Sequence, residues 1–266
     1  MRVAVLGCGP AGLAAVHAAF GLDAEVDIYA PMSKTPQLGP LVLQRPIPGI
    51  NNDHPDGYIR QLVIGGTILD YRYKLYGDIN INIQGNQLRE GYHVWNFVST
   101  YDELFRRYIL DPPPGIKLIP GIVQGYELRK LVDNYGLVIS TAPLPTLCMN
   151  INRHQFQSQR VAVIQEHSYP DQPPDTTIFN GGESPLWVRS AILLGNESTE
   201  WRIQDAPTGA RIIRKPILTT CDCFPRVLLT GRFGSWRNET WVDTAYWDTR
   251  DAMISADRKA IWANVS

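Results

Sequence analysis

Apolar and polar positions fall into blocks of clearly different period along the chain. A short apolar run at residues 3–6 leads into clustered glycines, then an Ala-rich helical stretch at 11–20 that Gly21 closes. A second apolar run at 24–30 completes a strand–helix–strand order. Residues 31–52 are dominated by Pro and Gly around an apolar insert at 41–43 and read as an extended loop. Residues 54–76 have a mixed helical pattern. From 77 to 87, Ile79, Ile81 and Ile83 alternate with Asn, the period-two signature of a half-exposed strand. Ser99 to Asp102 open a helix to residue 109, which Pro112, Pro113 and Pro114 stop.

Strand character returns at 116–123, followed by a short helix at 126–132. The continuous apolar run at 136–143 reads as an interior strand of a parallel sheet. Between 150 and 225, three β-rich runs (160–166, 176–180 and 186–194) are broken by Pro, Asn and Gly, the pattern of a mainly antiparallel second sheet. The chain returns through a strand at 226–230 and closes with a helix from 242 to 263. The predicted fold class is therefore α/β: a Rossmann-like parallel sheet interrupted by a smaller β-rich domain. Residues 1–45, 115–148 and 225–266 are assigned to a nucleotide-binding domain. Residues 46–114 and 149–224 are assigned to a substrate domain.

The glycines after the first strand have a specific chemistry. Gly7-x-Gly9-x-x-Gly12 between a strand and a helix is the dinucleotide-binding fingerprint. Gly7 permits the tight turn, Gly9 lets a pyrophosphate approach the backbone, and Gly12 lets the helix pack closely. The helix N-terminus then offers free amides and a positive dipole end to phosphates. Pro10 suits the first helical turn, where its missing N–H costs nothing. At the end of the second strand Ala30 stands where an acid for the adenosine ribose would be expected. Lys34 follows nearby, which suits a 2′-phosphate, so NADP rivals FAD as the ligand. No second GxGxxG follows a strand, which disfavours an additional NAD(P)H domain.

Composition narrows the class without choosing a function. A 44% hydrophobic share allows a sizeable core, and a net charge of −1 gives no global pull toward nucleic acid or membrane. No apolar run reaches transmembrane length, so a cytoplasmic protein with no membrane partner is expected. Cys221 and Cys223 sit two apart on one strand face, as a metal or redox pair would. No second ligand pair with zinc spacing accompanies them, and Cys8 lies in the glycine loop, so no metal site is expected. The histidines are scattered, and no Ser/His/Asp constellation is readable. The oligomeric state is not legible.

The Gly-x-Gly-Pro-Ala-Gly loop resembles the FAD-binding loop of glutathione-reductase-like flavoproteins. Together with the VISTAPLP strand-turn and the LLTGRFGSW segment, it resembles FAD enzymes of the amine-oxidase and UDP-galactopyranose mutase group. Stretches such as IFNGGESPLWVRS and GNESTEW are most similar to small phage-type FAD-dependent oxidoreductases. The resemblance implies FAD as cofactor. It places Gly7, Gly9, Pro10, Ala11, Gly12, Ala30, Lys34, Ser140, Thr141, Ala142, Pro143 and Gly231 beside it. The N-terminus of the closing helix, Val242, Asp243 and Thr244, would face the flavin N1–C2 edge, where a dipole stabilises negative charge. Arg189 and Arg232 would meet substrate or flavin, with Trp187 walling the pocket alongside Trp95, Trp236 and Tyr73. The implied activity is oxidation of a C–N bond in a small amine or amino-acid-like substrate by hydride transfer to flavin N5. Alternatives are mutase-like non-redox catalysis on a sugar nucleotide, oxidation of an amino-modified base in phage DNA, and plain NADP binding.

Overall fold

The computed structural model describes residues 1–34, 41–77, 90–238 and 240–263, with side chains through residue 256. In chain order the elements are β1 (Arg2–Leu6), α1 (Pro10–Phe20), β2 (Glu25–Ala30), β3 (Val42–Leu43), β4 (Gly57–Ile64), α2 (Ile68–Tyr76), β5 (Gly91–Asn96) and α3 (Phe97–Phe105). There follow β6 (Ile116–Pro120), α4 (Gly125–Asn134), β7 (Leu137–Ser140), α5 (Leu144–Leu147), β8 (Phe156–Gln165), β9 (Thr176–Asn180) and β10 (Trp187–Leu193). The remainder are β11 (Asn196–Arg202), β12 (Arg211–Thr219), β13 (Leu228–Leu229), α6 (Gly231–Gly234) and α7 (Val242–Ala263). Among the described residues, no helix is long and apolar enough to cross a membrane.

The chain divides into two compact units. The first takes Met1–Thr35, Ser99–Gln157 and Leu218–Ser266, and the second takes Pro36–Val98 and Ser158–Ile217. Residues 99–114 thus belong to the first unit and 41–45 to the second, opposite to the expected division. The reason is packing. Tyr101, Leu104 and Tyr108 are buried, and the Tyr108 hydroxyl lies 2.5 Å from Nδ1 of His17 on α1. Val42 and Leu43, by contrast, pair antiparallel with β5. Residues 149–157 and 218–224 also join the first unit, tied together by hydrogen bonds between Gln155 and both Thr219 and Thr220.

The first unit is built on a five-stranded sheet in the order β13-β7-β1-β2-β6, with every pairing parallel. Val3, Ala4, Val5 and Leu6 of β1 are all buried, as a central strand covered on both faces requires. Helix α1 buries Leu13, Ala14, Ala15, Val16, Ala18 and Ala19 and packs against α7. Its small side chains let the two helices approach. On the other side of the sheet, Leu128 of α4 and Leu147 of α5 join Ala4, Leu6 and Val138 in one cluster.

The second unit holds an eight-stranded sheet, β12-β8-β11-β10-β9-β4-β5-β3. Strands β8–β11, β11–β10, β10–β9, β4–β5 and β5–β3 pair antiparallel, whereas β4 pairs parallel with β9. Residues 54–76 are not uniformly helical: β4 precedes α2, whose start is fixed by a reciprocal cap between Thr67 and Asp70. Ile59 points inward from β4 and is fully buried with Val94 and Leu193. The alternating isoleucines Ile79, Ile81 and Ile83 lie outside the described residues.

Candidate functional site

In the parallel sheet the strand order reverses between β1 and β7. Such switch points open a crevice at the carboxyl ends of the strands. The residues that line it here come from three loops. Gly7 leaves β1 at φ +108°, a conformation side chains rarely adopt, and its N–H donates to the Tyr29 carbonyl at 2.9 Å. A Cβ at Gly12 would lie 2.0 Å from the Gly7 carbonyl oxygen, so only glycine allows the strand-to-helix turn to close. From the β7 loop, the Thr141 N–H and hydroxyl both donate to the Leu6 carbonyl at 3.0 Å. From the end of β13, Gly231 sits at φ +68°, where a Cβ would meet the Ala11 Cβ at 2.6 Å and Thr141 Cγ2 at 3.8 Å. Thus Gly7, Ala11, Gly12, Thr141 and Gly231 converge.

The start of α1 faces this convergence without competition. Gly9 is its N-cap and Pro10 its first residue, no side chain caps it, and no acid occupies its first turn. Its first-turn amides and dipole are therefore available to an anion.

The other expected cofactor residues are placed more variously. Ala142 packs under the sheet against the cluster around Leu6 and Leu147, and Pro143 is the N-cap of α5. Ala30 ends β2 fully covered, its carbonyl accepting from Gly121 at 3.1 Å. Lys34 places its ammonium 2.5 Å from Asp102 Oδ1 and over the Tyr101 ring. Val242, Asp243 and Thr244 form the first turn of α7. Asp243 is buried there and itself complements the helix dipole, and Thr244 Oγ1 accepts from the Trp241 N–H at 3.3 Å. Arg232, on α6, donates to Asn238 Oδ1 at 2.5 Å. Trp236 is buried in the same unit, with its indole N–H on the Gln157 carbonyl.

Arg189 and Trp187 belong to the second unit. Arg189 on β10 is engaged by Glu200, its cross-strand neighbour on β11, while Lys215 on β12 reaches the other Glu200 oxygen at 2.5 Å. Glu200 is 1% exposed. Burial alone would raise its carboxyl, but Arg189 and Lys215 more than offset that and hold it at about 2. Trp187 is a core residue, clustered with Ile178 and Trp201 and tilted on Tyr169 at 5.3 Å. Its carbonyl accepts from Lys74, whose ammonium also bonds the Gly182 and Pro185 carbonyls. Trp95 donates to the Asn52 carbonyl, and Tyr73 is exposed on α2.

Two features of the first unit escape a sequence reading. Asp27, buried inside β2, is held by Arg2 at 2.8 Å and by the Tyr135 hydroxyl, which Tyr29 also contacts. Burial and these partners push the Tyr135 phenol well above its ordinary value. Asp27 is thereby committed within the strand and does not stand in for the missing acid at Ala30. The second feature is a gathering of Cys148, His154, Cys221 and Cys223, whose donor atoms all lie within 4.8 Å of one another.

No protein-family model matches the sequence, and no curated protein matches it significantly. Solved structures do. A flavoprotein/dehydrogenase from Cytophaga hutchinsonii superposes with a TM-score of 0.52 at 13% identity, over 97% of this chain and 77% of that one. A mutant of 2-methyl-3-hydroxypyridine-5-carboxylic acid oxygenase aligns at 0.44 and 11%, over 98% of this chain and 92% of the other. A protein from Pyrococcus furiosus aligns at 0.47 and 9%, over 97% and 98%. The first of these shows that the chain has the α/β fold of that flavoprotein, a parallel sheet combined with a second β-rich sheet.

Proposed function

We propose that the chain is an FAD-dependent oxidoreductase that oxidises a C–N bond of a small amine or amino-acid-like substrate. The observation that carries this reading is the convergence of Gly7, Ala11, Gly12, Thr141 and Gly231 on the uncapped start of α1, at the switch point of a parallel sheet. The fit of a dinucleotide is supported by that cradle. A Cβ at Gly7, Gly12 or Gly231 has no room, and the helix start has no acid of its own to satisfy it. The amides of Ala11 and Gly12 would hold the pyrophosphate. Thr141 and Gly231 would flank it.

Bound FAD would supply a hydride acceptor, and an amine arriving neutral would need no dedicated base. Two placements weigh against the rivals. A 2′-phosphate site would use Lys34, which is already partnered by Asp102. Mutase-like catalysis would need Arg189 and Arg232 to grip phosphates together, and Arg189 is committed to Glu200.

The purified protein should be yellow, release FAD on denaturation, and lose its flavin absorbance when an oxidisable amine is added without air. Gly9→Val, which puts a branched Cβ beside the phosphate path, should retain no flavin while staying folded. Bound NADP in place of flavin, or normal flavin content in folded Gly9→Val, would overturn the assignment. Flavin that no amine bleaches, but that supports isomerisation of a sugar nucleotide when reduced, would favour the mutase reading instead.

A further inference from the structure

We propose that Cys148, His154, Cys221 and Cys223 form a structural zinc site in the first unit. The four donors come from two segments that sequence spacing keeps apart, one after α5 and one after β12. His154 Nδ1 lies 3.2 Å from Cys148 Sγ and 3.6 Å from Cys223 Sγ. All four donor atoms fall within 4.8 Å of one another. Zinc bonds of about 2.3 Å to sulfur and 2.0–2.1 Å to nitrogen give tetrahedral edges of roughly 3.5–3.8 Å. Two of the edges are therefore near that length already, and the longest needs to contract by about 1 Å, within reach of side-chain rotation.

The backbone around the donors is fixed before any ion enters. The Gln155 N–H donates to Thr220 Oγ1 at 3.0 Å, the Thr220 N–H returns to the Gln155 carbonyl at 3.2 Å, and Thr219 Oγ1 reaches the same carbonyl at 3.0 Å. Thr219 Oγ1 also accepts from the Cys221 N–H at 3.0 Å. The Cys148 N–H closes α5 on the Leu144 carbonyl. These bonds lock the histidine-bearing segment against the segment that carries two of the cysteines. On the far side of the ring, His154 Nε2 faces the exposed Asp222 carboxylate at 3.7 Å. A carboxylate there selects the tautomer with Nδ1 free to ligate.

The donor chemistry decides the ion and its role. Three thiols and one imidazole are soft-to-borderline ligands that suit zinc over magnesium or calcium. Four protein ligands leave no open position for water or substrate, so the site is structural rather than catalytic. All four cysteines of the chain are free thiols, and the three of this cluster are available as ligands. The ion would clamp the chain where it leaves the first unit, before Ser158, to the chain where it re-enters after Ile217. Because binding is linked to folding, it would stabilise this unit.

Wild type prepared reduced, loaded with Zn²⁺ and freed of excess metal should carry about one zinc per chain by elemental analysis. Co²⁺ in its place should give tetrahedral visible bands with a thiolate-to-metal charge-transfer band. Cys148→Ser and Cys223→Ser should each weaken that band and lower zinc content several-fold, whereas His93→Ala should not. His154→Cys should keep the metal and strengthen the charge transfer, which holds even if a serine variant fails to fold. The proposal is overturned if folded, reduced wild type takes up neither metal. It is equally overturned if zinc persists in Cys148→Ser/Cys223→Ser, or if two of these cysteines are isolated as a disulfide in metal-loaded protein.

Discussion

Replacing Glu200 by Gln would leave Arg189 and Lys215 converging on a neutral amide inside the second unit. Arg189 and Lys215 each occupy one carboxylate oxygen, and Glu200 is 1% exposed, so water cannot take over the lost charge. The size of the effect follows from the acid's own titration. Its carboxyl is held at about 2, against an ordinary value of 4.5. At 1.36 kcal/mol per pH unit that is on the order of 3 kcal/mol, which agrees with the 3–5 kcal/mol typical of breaking a buried pair. The pKa is depressed in the folded state, so the stabilisation is present above pH 4.5 and lost as pH falls toward 2. Urea unfolding followed by tryptophan fluorescence would read this unit, since Trp187 and Trp201 pack in one of its clusters. At pH 7 Glu200→Gln should be about 3 kcal/mol less stable than wild type, and the gap should narrow steadily below about pH 4.5. Replacing Arg189, Glu200 and Lys215 together by apolar residues should recover much of the loss. A gap under about 1 kcal/mol at pH 7, or one that stays constant to about pH 3, would refute the reasoning.

Gly12→Ala should lower the flavin-to-protein absorbance ratio at least about tenfold, because its Cβ would sit 2.0 Å from the Gly7 oxygen; unchanged flavin content would show that the turn can relax. Tyr135→Phe removes a donor from the buried Asp27 carboxylate and should cost about 1–3 kcal/mol in thermal unfolding while leaving flavin content intact. Lys34→Ala breaks only an exposed pair, so stability should change by less than about 1 kcal/mol and flavin retention not at all; loss of the cofactor would restore Lys34 to a binding role.

The elements readable from the sequence are those whose pattern is set locally. Glycines at 7, 9 and 12 between an apolar strand and an Ala-rich helix declare both β1 and α1, and the closing helix spans the expected residues 242–263. The strand β11, Asn-Glu-Ser-Thr-Glu-Trp-Arg, has no such signal. It is polar but for Trp201, yet Ser198, Thr199 and Glu200 are buried. The partners of Thr199 and Glu200, including Ser190, Lys215 and the His167 carbonyl, lie on other segments, so only the assembled sheet makes the burial of those two tolerable. Arg189 illustrates the converse. Nothing in its short motif announces the buried acid opposite it, Glu200, which only the pairing of β10 with β11 brings to it. The cysteine–histidine gathering was invisible for a similar reason: Cys148 and His154 reach Cys221 and Cys223 only because the fold brings two distant segments side by side.

The order in which the first unit is assembled has a consequence for the chain as it leaves the ribosome. Strand β1 pairs with β7 more than a hundred residues later, α1 is covered by α7, and the Gly231 backbone seats beside Ala11. Strand β1 and helix α1 are therefore fully enclosed only after the much later segments have been made. Until α7 emerges, the face of α1 that it covers stays open, and such exposed surface invites aggregation and chaperone capture. Long-range pairing of this kind also slows folding. Truncation before α7 should yield a nascent chain that stays bound to chaperones, and restoring α7 should release it.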